Sequence, residues 1–404
     1  MISTTLAQKW ILYTALLFAF SLPISRAGIN VFGAMLLVIW LLEGRFNEKF
    51  YAIIQHKFTL ALSLFLIYMF VVILWVEPDN ITLAYKYNLK YSYFLIVFVL
   101  FTSYDKEKAI LLFYAFLLGM FVSILESLSI YFGLYTFKEI NEDSLSPHMW
   151  HTIYSLFLAF SALMSLVFLL ETKTVKHKIL FAIFYLSSTT VLFLGISRTG
   201  QLIYLLGLLL TMIRFFKPNW KSLLLAPIMI VILLGTLYSQ NALFKSRIDI
   251  AKSDINSFQQ NRDYCTSIGG RIFTWEVAYN VFKSDPILGL GTVDHIEYLK
   301  KSIEDDPQFS QCSIKNLIGY YHAQYIELTA QSGLVGLFFL LSLFITLWLI
   351  PIKNQSISSM KNLLILLFLI AFFLDVPFRK MFTVALFALI SSILLLQERV
   401  ENEI

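Results

Sequence analysis

Long apolar runs separated by short polar breaks repeat from one end of this chain to the other. Twelve of them approach or reach the length of a bilayer-crossing helix, near residues 10–24, 29–42, 58–76, 90–104, 109–136, 152–170, 179–196, 200–216, 221–239, 322–350, 361–377 and 381–396. Backbone polar groups inside hydrocarbon must be satisfied within the segment itself, so each run reads as a helix. No small-residue cleavage site follows the first run, which is therefore expected to stay as the first span. The breaks are short except for residues 240–321, a stretch too polar to span and too apolar in parts to be plain linker. The expected fold is all-α and polytopic, with about twelve transmembrane helices. Residues 1–239 hold nine of them, 240–321 form one large loop with helices of its own, and 322–404 hold the last three.

Composition points the same way. The 404 residues are 58% hydrophobic and 14% charged, against about 45–50% and about 25% for soluble chains. The mean hydropathy is +0.74. A net charge of +5 and a pI near 8.9 are compatible with a nucleic-acid partner. However, the chain has no basic stripe with interleaved aromatics and no recognition motif, so no nucleic acid is expected. The excess Lys and Arg lie in the breaks, where they set orientation. With cytoplasmic termini, fifteen fall inside: Lys9, Arg45, Lys49, Lys57, Lys106, Lys108, Lys173, Lys176, Lys178, Arg214, Lys217, Lys221, Lys353, Lys361 and Arg399. The short outside breaks hold seven: Arg26, Lys86, Lys90, Lys138, Arg198, Arg379 and Lys380. This bias predicts cytoplasmic termini and a large loop on the outer, periplasmic face of a bacterial inner membrane.

The two cysteines, Cys265 and Cys312, both fall in that loop. The compartment permits a disulfide, and a bridge closing about 48 residues would contribute roughly 3–4 kcal/mol in the chain-entropy picture. The spacing leaves bonded and free thiols both open.

Within the loop, "GGRIFTWEVAYNVFKSDP" predicts a helix that starts after Gly269-Gly270 and stops at Asp285-Pro286. Arg271, Trp275, Ala278 and Phe282 share one face of it. "PILGLGT", at 286–292, lacks the frame of a phosphate loop and reads as a turn back to the membrane. The next run opens with "YYHAQYIELTAQSGLVGL". On a helical wheel His322, Thr329, Gly333 and Gly336 share the packed face, while Gln324, Glu327 and Gln331 form a polar stripe that implies a wet cavity or a polar partner.

A short echo, "PISRAG" at 23–28 and "GISRTG" at 195–200, marks two helix corners on the outer side. "DHIE" at 294–297 and the pair His148 and His151 carry ligand-type residues without a second cluster, so no metal or other cofactor is expected. Glu126 and Asp375, in or near spans, are candidates for function or for pairing with an arginine. The outer face thus gathers Arg198, Arg271 and His322, with Arg26 as a fourth candidate. Arginine grips phosphate with its planar fork, and a neutral histidine can take a proton from an alcohol. The set suits attack of a hydroxyl on a diphosphate-activated donor.

The chain resembles the O-antigen ligases and polymerases of bacterial surface polysaccharide assembly. The likeness rests on "SRTG" after a span, on R-x-x-x-W and P-x-x-G-x-G in one large outer loop, and on a histidine closing that loop before "SGLVGL". The resemblance implies a metal-independent membrane glycosyltransferase of the GT-C type. Its donor would be a glycan on undecaprenyl diphosphate, and for a ligase its acceptor would be lipid A–core oligosaccharide. It implies diphosphate contacts from Arg198 and Arg271 and a general base in His322. The family often has asparagine after the histidine, where this chain has Ala323. A ligase is the preferred reading. The alternatives are a polymerase joining lipid-linked repeat units and, from another class, a transporter of lipid-linked glycan. A transporter needs charges reachable from both sides and often shows inverted repeats. Here the candidate charges concentrate on one face.

Overall fold

The computed structural model describes residues 4–134, 145–146, 148–216, 235, 239, 242–312 and 319–401. Every regular element among them is helical. In chain order these are α1 (Thr4–Ser21), α2 (Arg26–Glu43), α3 (Phe46–Gln55), α4 (Lys57–Val71), α5 (Ile81–Asn88), α6 (Leu95–Ser103), α7 (Ala109–Tyr131), α8 (His151–Glu171), α9 (Val175–Leu194) and α10 (Arg198–Phe216). Then follow α11 (Ala242–Asn261), α12 (Ser267–Ser284), α13 (Asp294–Asp305), α14 (Gln324–Trp348), α15 (Gln355–Leu374) and α16 (Met381–Glu401).

Among the described residues, eight helical segments are long and apolar enough to cross a membrane: Arg26–Glu43, Lys57–Trp75, Lys106–Tyr131, His151–Glu171, Val175–Leu194, Gln324–Trp348, Gln355–Leu374 and Met381–Glu401. The chain is a multi-pass membrane protein. Four of the twelve expected runs are not among these. Gln8 and Lys9 dilute the apolar character of α1, as Arg198, Gln201 and Arg214 do in α10. The run at 90–104 is a 3-10 turn, Leu89–Phe94, leading into the nine residues of α6. The run at 221–239 lies outside the described residues, two positions aside.

Two helices form the centre. Both α8 and α16 are buried on almost every side, as expected for helices apolar all round. Small residues along α8, among them Ser155, Ala159, Ala162 and Ser165, let α9, α10 and α15 approach it. On the other side α16 packs on α6, α7 and α15. Five phenylalanines, Phe94, Phe368, Phe372, Phe378 and Phe387, lock edge against face across four elements. Phe378 belongs to the short turn Pro377–Arg379 between α15 and α16, so this cluster fixes that turn.

The segment between α10 and α14 builds a second core from Tyr264, Phe273, Val277, Val281, Leu299, Ile303, Phe309 and Tyr321. Cys265 and Cys312 are bonded beside it, with Cα atoms 5.1 Å apart. Helix α12 begins earlier than the glycine pair suggested, because the Thr266 hydroxyl accepts from the Gly269 N–H at 3.0 Å and caps the helix there. It ends before Asp285-Pro286 as expected.

The apolar run of α14 hides a break. Gly333 has φ 63° and ψ −164° in the middle of the helix. A side chain there would be strained and would run into the carbonyl of Ile287. Residues 286–291 are wedged into this gap. Leu290 and Gly291 donate to Ala330 and Gln331 at 3.0 and 2.9 Å, and Leu334 and Val335 donate to Pro286 and Ile287 at 2.9 and 3.4 Å. A broken helix at membrane depth is tolerated only where protein satisfies the freed groups. "PILGLG" is therefore more than a returning turn: it completes the helix it abuts.

Candidate active site

The site is built where the second core meets the start of α14. His322 is not on the wheel of that helix, contrary to expectation. Ala323 is the N-cap, and His322 sits one residue earlier in the left-handed region with φ 55°. Such a backbone is uncommon for a residue with a side chain and persists where the surroundings impose it.

The surroundings here are specific. The peptide preceding His322 is held from every side through Tyr321. Its N–H donates to Glu327 Oε2 at 3.2 Å. Its carbonyl accepts from Trp275 Nε1 at 2.9 Å and from the Thr274 hydroxyl at 3.4 Å. Its own hydroxyl donates to the His295 carbonyl at 2.7 Å. Thr274 and Trp275 come from α12, His295 from α13 and Glu327 from α14, so three helices clamp one residue. The tryptophan of R-x-x-x-W thereby acts on the histidine through Tyr321.

The polar stripe on α14 finds its partners inside the protein. Gln324 Oε1 accepts from the Phe378 N–H at 2.8 Å, and Gln331 donates to Thr292 at 2.8 Å. Glu327, 1% exposed, accepts from the Tyr87 hydroxyl at 2.8 Å and pairs with Arg379 at 3.5 Å. Arg379 also donates to the Gly319 carbonyl at 3.1 Å. Its guanidinium lies 5.1 Å from the Tyr320 ring and 5.5 Å from the Tyr87 ring, and the Lys90 ammonium stands 3.2 Å from that same Tyr87 ring. Tyr320 in turn packs on His322 with ring centroids 4.1 Å apart.

Half-buried His322 is pushed down to about 4, first by burial and next by the Arg271 charge; Glu327 opposes this and Arg379 adds to it. Its imidazole is therefore neutral at physiological pH, the form that can accept a proton. His295, fully buried, is likewise held at about 4, mainly by burial.

Of the residues expected from the sequence, Arg271 and His322 are brought together: Arg271 starts the second turn of α12 and its charge acts on His322. Arg198 is exposed as the first residue of α10. The rest of its motif is structural. Ser197 shares a 2.7 Å hydrogen bond with Ser155 of α8, and Gly200 lies so close to Ser155 that a Cβ would collide with it. Arg26 follows the N-cap Ser25, whose hydroxyl accepts from the Gly28 N–H at 2.9 Å, and its charge acts on Tyr93. The echo of Ser-Arg-x-Gly thus marks two helix starts.

Other candidates resolve into scaffolding. Glu126 pairs with His148 at 3.1 Å rather than with an arginine. Asp294 and Glu297 of "DHIE" both accept from Asn80, at 2.7 and 2.5 Å, tying α13 to the turn before α5. Asp375 ends α15, where its backbone carbonyl takes the Gln324 N–H at 3.0 Å and its charge acts on Arg379. Arg379 and Lys90 entered the sequence reading only as topology charges. Nothing in their local pattern marks them, since what makes them part of the site is a fold that joins residues 87–90, 320–327 and 377–379.

The fold and site together define a polytopic membrane protein with a buried carboxylate, a neutral histidine and several cations gathered at one helix start. A family model described as O-Antigen ligase matches residues 180–341, which include Arg198, Arg271 and His322. An O-antigen ligase of Escherichia coli K12 is 23% identical over 194 residues, 48% of this chain and 45% of that protein. An uncharacterized protein of Haemophilus influenzae is 28% identical over 156 residues, 39% of this chain and 38% of that protein. The chain therefore spans less than half the length of these curated relatives. Over this region the chain is similar to the O-antigen ligase family.

Proposed function

We propose that the protein transfers a glycan from undecaprenyl diphosphate to lipid A–core oligosaccharide, as a ligase acting on the periplasmic face of a bacterial inner membrane with its termini in the cytoplasm. The carrying observation is His322, neutral, half-buried and held in a left-handed backbone beside Arg271.

His322 takes the proton of the acceptor hydroxyl. The oxygen forms a bond to the anomeric carbon of the donor sugar, the bond from that carbon to the diphosphate breaks, and undecaprenyl diphosphate leaves with the electron pair. Arg271 and Arg198 bind the diphosphate and stabilise its growing charge. Arg379 adds positive charge on the Tyr320 side of His322. No metal is required in this scheme.

The test is transfer by the purified protein, supplied with both lipid substrates in the presence of EDTA. Wild type should yield glycan-bearing lipopolysaccharide and His322→Ala should not. Undiminished activity in the variant would remove His322 as base. A strict metal requirement would sink the mechanism, and transfer onto a second lipid-linked glycan would make the protein a polymerase.

A further inference from the structure

Helix α12 extends a line of side chains from Arg271 and Trp275, already placed at the reacting centre, to two more that the chemistry above does not use. Arg271, Trp275, Tyr279 and Lys283 follow at intervals of four residues, so they stack along one face. Trp275 is 39% and Tyr279 58% exposed. They border a shallow, open depression whose lining residues, with Ile272, Glu276 and Asn280, all come from α12. The line begins at the reacting centre, because Arg271 acts on His322 and the Trp275 indole is tied to the Tyr321 carbonyl.

We propose that this depression is a carbohydrate-binding track that carries the glycan chain of the donor away from His322, with Trp275 and Tyr279 stacking on successive sugar rings. The identity of the ligand rests on the transferase reading. The track itself is a claim about saccharide binding.

Three features of the depression select this ligand. The helical rise sets Trp275 and Tyr279 roughly 6 Å apart along the axis, close to the advance of one pyranose ring in a polysaccharide. Aromatic faces take the C–H faces of sugars, while neighbouring acids and amides take their hydroxyls. Glu276 and Asn280 stand on the same side, and the Tyr264 hydroxyl holds one Glu276 oxygen at 2.7 Å. Hydrocarbon contact does not explain the aromatics, since Arg271, Glu276, Asn280 and Lys283 interrupt the face and α12 is not among the membrane-capable helices.

The experiment uses the full chain in phosphatidylcholine nanodiscs and lipid-diphosphate donors bearing either one repeat unit or a long chain. Wild type should show a lower KM for the long donor. Tyr279→Ala should raise that KM about three- to tenfold, the worth of one aromatic contact, and affect the single-unit donor far less. Tyr279→Phe, which keeps the ring, should restore the preference. An equal effect on both donors, or none on either, overturns the track.

A second arm needs no catalysis. Polysaccharide released from the source bacterium's lipopolysaccharide should quench tryptophan emission in wild type, more weakly in Tyr279→Ala, and the quench should be lost in Trp275→Phe. Equal quenching with lower thermal stability of the variant would make Tyr279 a lipid-interface anchor and overturn the proposal. If wild type transfers nothing yet binds the polysaccharide, the transferase reading fails while the track stands.

Discussion

Two buried carboxylates in this protein have different neighbourhoods. Glu43, at the end of α2, is fully enclosed with Lys49 at 2.9 Å, and Arg45 and Ser103 also bond to it. Lys49 is 3% exposed and completes its contacts on the Trp40 carbonyl at 2.6 Å. Glu327 is equally buried, but its nearest cation is Arg379 at 3.5 Å, and one of its oxygens holds a backbone N–H instead. Around it stand Arg379, Lys90, Lys380 and Arg271 against Glu327 and Asp375. The first cluster is closed: its charges answer one another and join α2, α3 and α6. The second has more basic side chains than carboxylates and a strained histidine. Burial alone does not distinguish a strut from a site; the local charge balance and the backbone do.

His322→Ala should produce the largest effect. Transfer should fall by about 10²–10⁴-fold, the range of a lost general base, with thermal unfolding unchanged. A matching drop from Lys49→Met would erase the contrast between the clusters. That variant instead should cost about 3–5 kcal/mol of stability, because it leaves Glu43 without its buried cation partner, and the melting temperature measures this.

Trp275→Phe keeps the ring but removes the N–H that holds Tyr321. It should cost about 1 kcal/mol, or several-fold in kcat; an unaltered kcat would mean that the clamp on His322 is redundant. Arg198→Lys keeps the charge and loses the fork, so transfer should weaken by a smaller factor while membrane insertion stays intact.

The last effect is one of pH. His322 and His295 are both held at about 4 in the folded protein, below the ordinary 6.5. Between these values the unfolded chain binds more protons, so stability should rise with pH from about 4 to about 6.5 and then level off. With the same shift, the two should carry similar shares. Melting curves of wild type and His295→Asn across that window check the sign and the division.

Much of this was legible along the chain, and the reason is local in each case. Apolar run length marks helices wherever lipid or a packed neighbour must be met, which is why eight spans and the end of α12 at Asp285-Pro286 stand where the pattern put them. Residue chemistry likewise marked Arg271 and His322, whose types are rare beside apolar runs. The helical wheel failed for His322, because continuing the α14 period backward assumes a backbone that the Tyr321 clamp overrides. The break at Gly333 was hidden for a similar reason: an apolar run looks the same whether its backbone groups bond to their own helix or to residues 286–291.

The sequence by itself determined that this is a helical membrane protein, because hydropathy acts residue by residue. Only the tertiary structure decided that Cys265 and Cys312 are joined, that Glu327 turns inward to hold Tyr321, and that Arg379 and Lys90 share a tyrosine near His322. Those facts depend on contacts between residues tens to hundreds of positions apart, and such contacts exist only once packing has chosen which helix ends meet.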